Sequence, residues 1–253
     1  MSTVSPADDA LAAVRRHYPD ALPTGVAVDR LLSLLHARYA LAPGDVLLAD
    51  SVCADDVNSM EYPASAAAMR GPFKLGGLDG FPFVGVTGMG AYAAHVPAHG
   101  AFFIYHAPHI GVSRSGVLGE IQRVGQTAPS GCCGAARAAL AKLRAGAIVP
   151  GDITELDYQQ NVLEQVLLAE QARILAADDP LKEATEVMQS AISTRVDALI
   201  ARTRFNGRYL IVMGAVLING DHDMGSYTTL RRLVATDLAT GLQTDLADAY
   251  RAL

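Results

Sequence analysis

Cys53, His109 and Cys133 are the side chains of this 253-residue chain best suited to gather a soft or borderline metal ion. Together they would offer zinc two thiolates and one imidazole and leave a fourth tetrahedral position for water, the arrangement of a catalytic rather than a closed structural site. They are scattered rather than paired as Cys-x-x-Cys knuckles, so each cysteine also reads as a small buried apolar residue. The third cysteine, Cys132, is adjacent to Cys133, and neighbouring cysteines close an ordinary disulfide badly. Metal binding and thiol chemistry are therefore the functional readings. In the thiol reading Cys133, near a helix start, is the nucleophile and His109 its base.

Asp55 lies two residues beyond Cys53, where a carboxylate could accept a hydrogen bond from a metal-bound water and orient it. Beside Asp56 it reads equally well as a turn or capping carboxylate. An arginine paired with Asp55 would hold it ionised, and Arg123 and Arg70 are the candidates by proximity. His95 and His99 stand four apart like the outer ligands of a zinc-protease helix, but the glutamate is missing and Pro97 intervenes. Pocket-rim, structural or proton-relay roles suit them better, with His106 as a further relay candidate. His17, His36 and His222 read as ordinary surface or helix residues. Gly76, Gly77, Gly80, Gly85, Gly88 and Gly90 carry no Gly-Lys-Ser/Thr ending and no dinucleotide fingerprint, so they indicate tight backbone packing around a small pocket.

These residues must be positioned by strands and helices. Asp45 to Asp50 reads as a buried strand that delivers Cys53 and Asp55 at its carboxyl end, where open α/β sheets bind ligands. Ala101 to Tyr105, rich in aromatic and β-branched residues, is a second strand and leads to His106 and His109. Gly116 to Val124 suggests a hairpin, and Ser130 to Ala145 an Ala-rich helix led by the cysteine pair and stopped by Gly146. Helical spacing opens the chain at Asp8 to Tyr18 and Val28 to Tyr39, a cap over the core. Apolar stripes over Ile153 to Ala177 and Leu181 to Arg204 suit an antiparallel pair. Tyr209 to Leu217 and Thr228 to Asp237 are expected to form an antiparallel hairpin around the turn residues Asn219 to Gly225. The expected architecture is one domain over 1–253, with the helical cap at about 7–40 and the helical pair at about 153–204.

Composition narrows the function. A hydrophobic content of 51% supplies a core, while a net charge of -6 without a Lys/Arg cluster argues against a nucleic-acid surface. No apolar run approaches the ~20 residues that span a bilayer. The acidic amino terminus lacks the basic start and apolar core of a signal peptide, so a cytoplasmic location is expected.

Several ordered motifs resemble one family. Cys53-Ala-Asp55-Asp-Val-Asn58, Leu75-Gly-Gly-Leu-Asp-Gly-Phe-Pro-Phe, Gly85-Val-Thr-Gly-Met-Gly, His95-Val-Pro, Ala107-Pro-His109-Ile-Gly-Val, Arg123-Val-Gly-Gln and Cys133-Gly-Ala look like the limiting-CO₂-inducible protein B family. That family is related to theta-class carbonic anhydrases and similar in fold to the beta class. The resemblance covers about Val46 to Leu143. It implies an α/β fold with a central mixed sheet flanked by helices, and zinc held by Cys53, His109 and Cys133. It gives Asp55 the role of orienting the metal-bound water. The beta class has an arginine two residues after this aspartate, where this chain has Val57, so the partner must come from elsewhere and Arg123 is favoured. The activity implied is reversible hydration of CO₂ to bicarbonate and a proton by a metal-bound hydroxide, in a homodimer. A zinc-bearing protein that senses bicarbonate or supports assembly in a carbon-concentrating system, without catalysis, is the alternative.

Overall fold

The computed structural model describes residues 6–58, 64–97 and 99–253. In chain order its elements are α1 (Pro6–Arg15), β1 (Leu22–Pro23), α2 (Thr24–Tyr39), β2 (Val46–Ser51), β3 (Arg70–Lys74), α3 (Gly85–Ala93), β4 (Ala101–His106) and β5 (His109–Gly111). They continue as β6 (Glu120–Ile121), β7 (Ser130–Gly131), α4 (Gly134–Arg144), α5 (Tyr158–Ala169), α6 (Gln171–Ala176) and α7 (Pro180–Ile200). The last are β8 (Tyr209–Asn219), β9 (Ser226–Asp237), β10 (Gln243–Asp245) and α8 (Ala247–Arg251).

The fold is α/β, a mixed sheet in the order β1-β9-β8-β4-β2-β3, with β10 on β9 and β5 beside the end of β8. β3, β2, β4 and β8 run parallel, and β9 returns antiparallel to β8. Every residue of β2 and β4 is buried, as expected for parallel strands covered on both faces, whose sequences are continuous apolar runs rather than alternations. On one face Phe102, Ile104 and Val212 pack against Tyr92 of α3, Leu140 of α4, Leu163 of α5 and Ile192 of α7. On the other, Phe103, Tyr105 and Met213 pack against Leu31 and Leu35 of α2 and Tyr250 of α8. A third cluster joins Val14 and Tyr18, in and just beyond α1, to Ile110 of β5 and to Val216 and Ile218 of β8. Because β2, β4 and β8 are parallel, their carboxyl ends share one edge of the sheet, the edge at which such sheets bind ligands.

Local chemistry sets several boundaries. The Asp179 carboxylate accepts from the amides of Leu181 and Lys182 at 3.1 and 3.0 Å and Pro180 opens α7, a side-chain cap followed by a residue whose missing N–H costs nothing there. The expected helix over Ile153 to Ala177 starts later and is broken. Thr154 donates its amide and hydroxyl to Asn161 Oδ1, both at 2.9 Å, holding 154–157 in a turn, and Glu170 leaves helical geometry between α5 and α6. The hairpin expected over Gly116 to Val124 lies elsewhere. The chain reverses at 113–117, where the Ser113 amide bonds the Val117 carbonyl, and Glu120–Ile121 pairs instead with Ser130–Gly131. The helix expected from Ser130 therefore begins only at Gly134. β3, α3, β5 and the short β1, β10 and α8 are additions to the elements read from periodicity. No helix of the described residues is long and apolar enough to cross a membrane.

Candidate metal centre

The loop after β2 carries Cys53 and Asp55. The one after β4 reaches His109 within three residues, and Cys133 caps the amino end of α4 from extended backbone. Their ligand atoms, Cys53 Sγ, Cys133 Sγ and a His109 ring nitrogen, lie within 4.8 Å of one another, and all three residues are buried. Cys53 Sγ and Cys133 Sγ are 4.0 Å apart. The Nδ1 atom of His109 is 2.8 Å from Asn219 Oδ1, whereas Nε2 is buried with no hydrogen-bond partner. An orphaned ring nitrogen in a buried set with two thiols is what a metal ligand looks like without its ion, since a buried polar atom left unpaired is otherwise costly. The donor set, two sulfurs and one imidazole, suits a tetrahedral borderline metal with one open position.

Two backbone devices hold the cluster. The Asp79 amide donates to Cys53 Sγ at 3.1 Å, and Asp79 Oδ1 accepts the His109 amide at 3.2 Å. Asp79 is itself in left-handed backbone, and the following Gly80, with φ +75°, brings this turn against the Ala107 carbonyl where a Cβ would collide. Gly111 likewise admits Cys132, whose Cβ would stand 2.9 Å from a Cβ added there. The glycines at 76, 77 and 80 are thus packing positions, as read from sequence; 85, 88 and 90 belong to α3.

The ion pair is equally definite. Arg123 forks onto Asp55, with Nη1 to Oδ1 at 2.7 Å and Nη2 to Oδ2 at 2.9 Å, and its Nε donates to Ser130 Oγ at 3.1 Å. Arg70 lies exposed at the start of β3. The Arg123 segment is anchored in turn by Asp221, which accepts the Gln122 amide at 2.7 Å. An Asp55 carboxylate oxygen comes within 4.8 Å of a His109 ring nitrogen and of Cys132 Sγ. Val57, Arg123 and Asn219, which flank the cluster, also line an open cleft of about 720 Å³ with Thr24, His222 and Tyr227.

Electrostatics separates the acids and thiols. Burial alone would raise Asp55, but the Arg123 guanidinium outweighs it and holds the carboxyl below the ordinary range. The hydrogen bond shared with Cys133 draws Cys53 down to about 4 against the effect of burial, with His109 adding to it. Cys133 itself is pushed well above the ordinary thiol value by that same contact with Cys53 and by burial. Cys133, 2% exposed, does not present the accessible thiol that the thiol-enzyme reading requires. Asp79, raised to about 7 chiefly by burial, sits beneath the cluster.

The remaining histidines divide cleanly. His106 is completely buried with both ring nitrogens unpartnered, and burial, with Arg232, pushes it down to about 3, so it stays neutral and is no relay. His95 is exposed and bonded to the Ala91 carbonyl, His99 is exposed, and neither lines the cleft. His17 is half-buried with Nε2 2.9 Å from the Gly116 carbonyl oxygen, His36 is exposed, and His222 lies on the cleft rim. Sequence reasoning missed Asp79, Asn58 and Asn219. Asn219 ends β8 at the same sheet edge that carries Cys53 and His109, two residues beyond the strand end expected from sequence.

Comparison with known proteins agrees with this architecture. A family model described as limiting CO₂-inducible proteins B/C beta carbonic anhydrases matches residues 22–237. The chain is similar to the crystal structure of PtLCIB4, a homolog of the limiting CO₂-inducible protein LCIB, with 28% identity, TM-score 0.79, and 93% of this chain and 98% of that one covered. A substituted form of PtLCIB4 gives 29% identity, TM-score 0.76 and the same coverage. The crystal structure of LCIB shares the fold at 21% identity and TM-score 0.69, covering 91% of this chain and 95% of that one. No curated protein matches the chain.

Proposed function

The chain belongs to the limiting CO₂-inducible B/C family of beta carbonic anhydrases, and from that membership and the site we propose that it binds zinc through Cys53, His109 and Cys133 and reversibly hydrates CO₂ to bicarbonate and a proton. The observation that carries this reading is the orphaned His109 Nε2 in a buried cluster with two cysteine sulfurs, beside the Asp55–Arg123 ion pair. Zinc, when bound, supplies Lewis acidity that lowers the pKa of a coordinated water toward neutrality.

The chain's own residues do the rest. Cys53 and Cys133, bound as thiolates, would neutralise the metal's formal charge, so its Lewis acidity would be weaker than among three imidazoles and activity is expected to rise at alkaline pH. Asp55, held ionised by Arg123, is an acceptor at every physiological pH. It orients the nucleophile by taking a hydrogen bond and cannot store the released proton. Arg123 fixes both carboxylate oxygens, so Asp55 needs no reorganisation during reaction, the condition under which an electrostatic group contributes most. The cleft beside Val57 and Arg123 offers mixed apolar and polar walls to a small neutral substrate and its anionic product.

Homodimerisation is part of the same reading, supported by exposed Val149, Ile153, Leu156 and Tyr158, and sedimentation equilibrium checks it. The function is tested by comparing metal-depleted and zinc-reconstituted protein in a CO₂ hydration assay. Turnover restored in proportion to bound zinc is expected. A full complement of zinc without turnover from acid to alkaline pH would instead favour a binding or assembly role.

A further inference from the structure

We propose that Asn219 is a positioning residue: its side-chain amide fixes which nitrogen of His109 faces the metal and ties that histidine to the loop bearing Asp55. The inference rests on the metal-centre reading above. Asn219 closes β8 and is 3% exposed. Its amide has two chemically distinct ends, and the surroundings decide which points where. Nδ2 lies 3.1 Å from the Val57 carbonyl oxygen and 3.2 Å from Asn58 Oδ1. A carbonyl can only accept, so the NH₂ end must face Val57. The Oδ1 end then faces His109 Nδ1 at 2.8 Å, and an acceptor there requires Nδ1 to carry the proton. Nε2 is left with its lone pair free, and it is buried without a hydrogen-bond partner, the state a metal ligand needs.

One side chain therefore converts the position of a backbone carbonyl into the tautomer of a ligand. It also bridges two loops at the sheet edge, because Val57 and Asn58 follow Asp55, and Asn58 Nδ2 reaches back to the Cys53 carbonyl at 3.5 Å. Cys132 is the rival neighbour of Nδ1, but its sulfur stands at 3.5 Å and is a poor acceptor beside an amide oxygen at 2.8 Å.

The test uses the full chain loaded with zinc or cobalt. In zinc-loaded wild type, nitrogen NMR of the His109 ring should find Nε2 bound to metal and Nδ1 carrying a slowly exchanging proton; Nδ1 as the bound nitrogen would overturn the proposal without any variant. Chelator competition should find zinc held about 10–100-fold more weakly by Asn219→Leu, with Asn219→Asp, which keeps the acceptor toward Nδ1 but loses the donor to the Val57 carbonyl, recovering part of the affinity and the wild-type cobalt absorption bands. Cys132→Ala should leave both unchanged. Unaltered zinc affinity in a folded Asn219→Leu protein, or a loss in Cys132→Ala that matches it, would overturn the assignment. Failure of wild type to bind stoichiometric zinc would instead bring down the metal-centre reading itself.

Discussion

Replacing Arg123 by glutamine removes both donors from Asp55 while keeping a polar side chain of similar reach. The two charged side chains are each 16% exposed and their contacts are 2.7 and 2.9 Å. Exposed ion pairs contribute ~0–1 kcal/mol, whereas stripping one partner from a buried pair costs ~3–5 kcal/mol. A forked pair at this depth falls between, at about 2 kcal/mol, which corresponds to roughly 30-fold in an equilibrium or rate. If Arg123 acts by fixing Asp55, the two residues work as one unit. Arg123→Gln and Asp55→Asn should then each lower kcat/KM, and the double variant should be scarcely worse than the weaker single one, with a coupling of about 2 kcal/mol. Stability should show the same link. A carboxylate with a depressed folded pKa stabilises above its unfolded value, near pH 4, and that contribution is lost as pH falls through the folded value. Arg123→Gln should flatten that part of the acid-unfolding curve. Strictly additive losses in hydration rate, at equal zinc content, would refute the reasoning.

His106, neutral in the fold and ordinarily titrating near 6.5, is pushed down to about 3. Protons bind the unfolded chain first as pH drops below 6.5, so wild type should lose about 2 kcal/mol from this group between pH 7 and pH 5; urea unfolding of His106→Gln should lack that loss. Arg70→Gln and His95→Ala should leave hydration and its buffer dependence unchanged in stopped-flow assays, because both side chains are exposed and away from the cleft. Alkylation should label Cys53 and Cys133 slowly in zinc-loaded protein and faster once a chelator is added; equal rates would argue against sulfur ligation. Gly80→Ala drives a Cβ against the Ala107 carbonyl from left-handed backbone, and should cost roughly 1–3 kcal/mol in denaturant unfolding while weakening zinc binding.

The sheet centre was legible because β2 and β4 are short runs of apolar and aromatic residues whose ends lead straight to Cys53 and His109. Cys53, His109 and Asp55 could be named as candidates because they follow those strand ends, although each cysteine also reads as a small buried apolar residue and Asp55 as a turn or capping carboxylate. Arg123 was a choice between two arginines until the turn at 113–117 and the Asp221 anchor settled where the segment runs. α3 was hidden because Gly85, Gly88 and Gly90 have low helix propensity and only tertiary packing of Met89 and Tyr92 stabilises it. Asn219 read as turn chemistry, because nothing local distinguishes an asparagine that begins a turn from one that reaches 110 positions back along the chain to a histidine.

The proposed activity is tested by CO₂ hydration in stopped flow on protein of measured zinc content, with Cys53→Ala and Asp55→Ala beside wild type. Zinc-dependent turnover is expected in wild type, rising toward alkaline pH and lost in both variants, through loss of metal in the first and with metal retained in the second. Wild type fully loaded with zinc yet inactive across that pH range, or Asp55→Ala with undiminished turnover, would contradict it.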